Sequence, residues 1–66
     1  GKIPQGRRDD TLMRMACALR RFGVDAGAIH AALRSLNASL CEPPLPDPQL
    51  QRIAQSAAKY PPRSVA

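Results

Sequence analysis

At 66 residues the chain holds one domain at most, near the lower size at which a single apolar core folds without staples. Ten Lys and Arg against five Asp and Glu give a formal charge of +5, with 44% hydrophobic but only 3% aromatic residues. That balance excludes a disordered basic tail and leaves too few flat rings for nucleobase stacking to be the main mode of binding.

Eight of the ten cations are Arg, whose planar fork suits phosphate or carboxylate, so the expected partner is anionic. Apolar runs are broken by Arg, His or Ser within a few residues, which argues against a signal peptide or membrane span; a cytoplasmic protein is expected. Cys17 and Cys41 are read as reduced thiols, since one bridge without secretory marks is weak ground for an oxidising compartment. The first residue is Gly1 rather than Met and the end is Pro-rich, so residues 1–66 are expected to be one domain of a longer protein.

The opening segment, GKIPQGRRDD, joins a permissive Gly6 to adjacent forked cations, Arg7 and Arg8, just ahead of a helix start with free N–H groups. This combination suits a phosphate. A solvated arm whose Arg residues pair locally with Asp9 and Asp10 would look the same in sequence.

A first helix follows, with Leu12, Met15, Ala16, Leu19 and Phe22 on one side and Asp10, Arg14, Cys17 and Arg21 near the other. Asp9, Asp10 and Thr11 are expected to cap it, Arg20 and Arg21 to complement its negative end, and Gly23 to terminate it. A second helix starts at Asp25 as N-cap and puts Ile29, Leu33, Leu36 and Leu40 on a stripe facing the core, with Ala32 beside it. Its opposite side, Gly27, Ala31, Arg34 and Ala38, could face solvent or another domain. The helix must stop before Pro43, because Pro44 disfavours helix there. In the third helix Asp47 is expected to cap, with Pro48 at the first helical position. Leu50, Ile53, Ala54, Ala57 and Tyr60 share a face opposite Gln51, Arg52, Gln55 and Lys59, and Pro61 and Pro62 end the element.

No alternating strand pattern appears, so the fold class is all-α: a small three-helix bundle with a Pro-rich loop between the second and third helices, to which Ile3 and Leu45 pin the arm and the loop. Asn37 and Ser56, at the edges of apolar stripes, are expected to hydrogen-bond the CEPPLP loop.

Chemistry has little to work with. Asp9, Asp10, Asp25 and Asp47 all lie where a helix begins, and Glu42 alone is left over, so no carboxylate set for two-metal nucleotidyl transfer is available and no catalytic residue is assigned. His30 with Cys17 and Cys41 matches no standard zinc spacing, so no metal ligand is assigned and His30 is read as a half-buried helix residue. Both cysteines are read as packing or surface residues. Arg14 and Arg21 form one row, Arg52 and Lys59 another; such rows can follow a phosphate backbone or merely keep a face solvated.

The pattern as a whole resembles the C-terminal helical domain of primases and bifunctional primase-polymerases of phage, plasmid and mobile-element replication. The resemblance spans about residues 3 to 62 and rests on Gly6 and Arg8, Leu12 and Ala16, Arg21 and Gly23, Asn37, Pro43 to Leu45, then Ile53, Ala54, Ser56 and Tyr60. Asp9 stands where that family usually has Asn, and Gln49 where an acid often stands. The resemblance implies an accessory bundle that helps an adjacent catalytic domain engage a single-stranded DNA template during primer initiation. No cofactor is expected within the domain, save a nucleoside triphosphate held jointly with the catalytic domain. A helicase or ATPase module is a further expected partner. The expected phosphate contacts are Arg7 and Arg8, helped by Arg14, Arg21, Arg52 and Lys59. The alternative is a protein-interaction bundle that docks the primase onto its helicase or polymerase core through the Ala-rich side of the second helix. A free-standing helix-turn-helix reader is disfavoured, because neither later helix carries a dense set of base-reading side chains.

Overall fold

The computed structural model describes residues 2–62; Gly1 of the basic arm and residues 63–66 of the tail lie outside them. Among the described residues the chain forms a 3-10 turn at Gln5–Arg7 and three helices, α1 (Arg8–Arg21), α2 (Ala26–Leu40) and α3 (Asp47–Ala58), with no strand beyond an isolated bridge between Ile3 and Cys41. The all-α three-helix expectation therefore holds.

Helix ends follow the sequence in part. The Asp25 carboxylate accepts the Ala28 N–H at 2.9 Å, capping α2 as expected. At the end of α1, Gly23 adopts φ +88°, its N–H donates to the Arg20 carbonyl (2.8 Å) and the Val24 N–H donates to that of Leu19 (3.3 Å). These two bonds form a Schellman motif, closed by Leu19 and Val24 packing against the core. The other two starts are displaced by one residue or more. Helix α1 begins at Arg8, so Asp9 and Asp10 lie inside its first turn and make no side-chain cap; their oxygens are taken by Gln49 and Arg14. Helix α3 begins at Asp47 after Pro46, and the Asp47 carboxylate turns across to His30 and Arg34 of α2 instead of capping. All three carboxylates still place negative charge at a positive helix end.

The core comprises Leu12 and Ala16 of α1, Ile29 and Leu33 of α2, Leu50, Ile53, Ala54 and Ala57 of α3, and Cys41 and Leu45 of the loop. Leu36 is half-buried against it, and the Gly27–Ala31–Arg34–Ala38 side of α2 is exposed, as its periodicity indicates. Phe22 (75% exposed) and Tyr60 (62%) depart from their expected apolar faces. Each lies beyond the last helical residue, Arg21 and Ala58 respectively, where the 100° projection no longer applies. Cys17 departs the other way, packing against the core, because a helix with two neighbours is covered over a wider arc than its apolar stripe alone.

The Pro-rich loop is held by one buried side chain. Asn37, 6% exposed, donates from Nδ2 to the Leu45 carbonyl (2.9 Å) and accepts the Leu45 N–H at Oδ1 (2.8 Å). Asn37 thus satisfies both main-chain groups of the residue that plugs the core, whereas Ser56, expected to help, lies instead beside Arg52 and Asp9. The arm is tied to the same end of α2 by the Ile3 N–H donating to the Leu40 carbonyl (2.7 Å) and by Lys2 Nζ donating to the Ser39 carbonyl (2.9 Å).

Both joints can be probed by substitution. Asn37→Ala strands a buried N–H and a buried carbonyl, and should cost about 2–4 kcal/mol in chemical denaturation, with little recovered by Asn37→Asp, which lacks the donor. Gly23→Ala should cost about 1–2 kcal/mol, for a conformational reason only, because nothing stands within 4 Å of an added Cβ there; a Tm equal to wild type would refute the left-handed cap.

Candidate nucleic-acid interface

Helices α1 and α3 are tied together at both ends with the same sequence offset. Gln49 Nε2 donates to Asp9 Oδ2 at 2.7 Å, and Arg20 Nε donates to the Tyr60 carbonyl at 2.8 Å; each pair is 40 residues apart. A constant offset from Asp9 to Arg20 means that the two helices run parallel and level. Between them lies a groove. Its first part is lined by Asp9 and Met13 of α1 and Gln49, Arg52 and Ser56 of α3, its far part by Cys17, Arg20, Arg21, Tyr60 and Pro61.

This arrangement sorts the cations. On each helix the residues facing the partner are Asp9, Met13 and Arg20, or Gln49 and Ser56, and the cationic rows come next around each cylinder. Arg14 and Arg21 therefore lie along one side of the groove and Arg52 along the other, with Lys59 just past the end of α3; all four are exposed. Applying the offset of 40 puts Arg52 level with Leu12 and Lys59 level with Leu19, each within two residues of its opposite number. The register thus brings Arg14 and Arg52 to one height and Arg21 and Lys59 to another, about two helical turns or ~10 Å further along; of the four, Arg52 and Arg21 line the groove itself.

The charges on this face are accessible. Arg14 Nε lies 3.5 Å from Asp10 Oδ2, but the two side chains are 77% and 59% exposed, so the pair is screened and weak, and Arg14 can exchange Asp10 for a phosphate. Among the described residues no carboxylate oxygen lies within 4 Å of a side-chain nitrogen of Arg21, Arg52 or Lys59. Asp9 and Asp10 make the N-terminal end of the groove the less positive one. Its other end carries Arg20, Arg21 and Lys59.

The two leading cations of the arm behave differently. Arg7 is exposed in the 3-10 turn. Arg8 is half-buried and donates from Nε to the Gln5 carbonyl (3.1 Å) and from Nη1 to the Pro43 carbonyl, bracing the turn against the Pro-rich loop. About three of its five N–H groups remain for another acceptor. His30, which does not line this groove, is a half-buried helix residue whose Nε2 lies 3.0 Å from Asp47 Oδ1; Arg34 joins the same carboxylate at 3.6 Å, fastening α2 to α3. Cys17 and Cys41 are both free thiols, the first in the groove and the second in the core.

Sequence reasoning did not single out Arg20 or Tyr60 as site residues. Arg20 reads as a cation complementing the α1 dipole and Tyr60 as a core residue; only the parallel register of α1 and α3 brings them together. No helix is long and apolar enough to cross a membrane among the described residues.

No curated protein and no solved structure matched the chain. A family model, Primase C terminal 1 (PriCT-1), matched over residues 1–63, nearly the whole chain and the span that carries both cation rows, the Asn37 joint and the loop. The chain therefore belongs to the PriCT-1 family of primase C-terminal domains.

Proposed function

We propose that this domain holds the single-stranded DNA template for a neighbouring primase catalytic region, which makes the bonds. One observation carries the reading: the two cation rows, separate in sequence, lie at matching heights on parallel helices, and Arg52 and Arg21 line the groove between those helices. A strand laid along the groove would meet Arg14 and Arg52, then Arg21 and Lys59, with Arg7 extending the track beyond the N-terminal end. Arg8 acts chiefly as a strut. Contacts of this kind release counterions and read no sequence, which suits an enzyme that must engage many templates. A nucleoside triphosphate shared with the catalytic region would add further phosphates for the same guanidinium groups.

A second reading is favoured by a different feature. On the side between α1 and α2, Phe22 stands exposed beside Met15, Ala18, Leu19, Ala32, Ser35 and Leu36, an almost wholly apolar furrow. We propose that this side, rather than the Ala31 and Ala38 face, seats the domain on its catalytic region. The two roles use different surfaces and are compatible.

Both roles can be tested separately. Replacing Arg52 and Lys59 by Ala should weaken binding of an oligothymidylate and flatten the slope of log K against log salt by about 0.7 for each phosphate no longer neutralised, as measured by fluorescence anisotropy. Arg8→Ala should leave that slope nearly unchanged and lower the Tm instead; an unaltered slope in the Arg52/Lys59 variant would refute the groove as the strand site. Phe22→Ala should leave strand binding intact but weaken association with the catalytic region in high salt, where charge contacts are screened.

A further inference from the structure

We infer that Tyr60 is a stacking platform for one unpaired base, and that with Arg20 and Arg21 it forms a single-nucleotide subsite at the cationic end of the groove. This rests on the strand-binding reading above and adds what composition argued against, a ring contact.

The placement of the ring carries the argument. Tyr60 is 62% exposed although it follows a helix whose apolar face is fully covered, so packing does not account for its position. It borders a cavity of about 360 Å³, shared with Cys17, Arg20, Arg21 and Pro61, within the ~300–1,000 Å³ range of small-ligand sites. Phe22, the other exposed large apolar side chain, lies in the uncharged furrow; Tyr60 alone stands among guanidinium groups.

Its backbone is also fixed. Arg20 donates from Nε to the Tyr60 carbonyl (2.8 Å) and from Nη1 to the Val24 carbonyl (3.2 Å), so one guanidinium ties the second residue beyond α3 to the end of α1 and stands as a wall of the cavity. Arg21, exposed at the rim, is left to meet a phosphate. A planar, apolar-faced ring with forked cations beside it fits a base with its adjoining phosphate. Only an unpaired base offers an open face, so the subsite selects single strands over duplex.

The chain supplies its own reporter. Tyr60 is its one Tyr and there is no Trp, so intrinsic emission comes from this site alone. Adding oligothymidylate to the 66-residue chain should quench that emission, after correction for absorbance, in step with binding. An abasic deoxyribose-phosphate strand of equal length should bind more weakly and leave it bright, and duplex DNA should do likewise. Tyr60→Ala should weaken oligothymidylate binding about 5- to 100-fold at every salt concentration with an unchanged salt slope. Tyr60→Phe, which keeps the ring, should retain wild-type affinity. Arg21→Ala should instead flatten the slope. Because Ala preserves the carbonyl that Arg20 uses, Tyr60→Ala should melt as wild type does.

If oligothymidylate binds Tyr60→Ala as tightly as wild type, or binds wild type without quenching, the subsite is refuted while strand binding along the cation rows stands. Quenching by the abasic strand equal to that by oligothymidylate would refute stacking. If no strand binds at any salt concentration, the subsite and the strand-binding reading fall together.

Discussion

The architecture depends on how the Pro-rich connection from Cys41 to Pro46 is held against α2. Proline rings in that loop cannot donate to a regular ladder, so the main-chain groups of Leu45, which the otherwise exposed loop buries, need other partners. Asn37 provides them at Leu45, offering a donor and an acceptor from one amide, much as a neighbouring strand would. With Leu45 fixed in the core, α3 must start beside the middle of α2, where Asp47 meets His30 and Arg34. From there it runs level with α1. A loop free to swing would leave the third helix without a defined direction.

Direction decides how ordinary surface charge is distributed over the bundle. Two amphipathic helices each carry a cationic row beside their contact line, and reversing one helix would carry its row to the opposite face of the pair. In the parallel arrangement, with its offset of 40 residues, Arg14 comes nearly level with Arg52 and Arg21 with Lys59. Such concentration of like charge opposes folding through self-repulsion, which a bound polyanion would relieve. The acids are disposed accordingly: Asp25 and Asp47 serve helix starts and the α2–α3 fastening, away from the groove, and only Asp9 and Asp10 touch its near end. Membership of the PriCT-1 family places this arrangement in a primase C-terminal domain.

The two exposed aromatic side chains divide the remaining surface into chemically distinct faces. Phe22 marks an apolar furrow between α1 and α2, while Tyr60 stands among the cations between α1 and α3. Both sit just outside a helix, where a side chain escapes the packing that its sequence phase would impose. In a core built largely of Leu, Ile and Ala, neither ring is needed to fill space.

Amino-acid order alone determined three amphipathic helices, the Asp25 cap, the Gly23 stop, the covered faces of α2 and α3 and the role of Asn37, because each depends on periodicity or on local backbone chemistry within a few residues. It also confined most acids to helix starts and isolated the cation rows. Tertiary structure decided what those signals leave open: that Asp9 and Asp47 bond across to Gln49 and His30 rather than cap, that Arg8 is a strut, that Cys17 is covered, and that Arg20 finds Tyr60. Each of these is a bond between residues 17 to 40 positions apart or a consequence of a helix having two neighbours. A helical wheel gives the angle of a side chain about its own axis, but which partner fills that angle is set by the relative direction of the helices, and that direction is fixed by the packing of the loop between them.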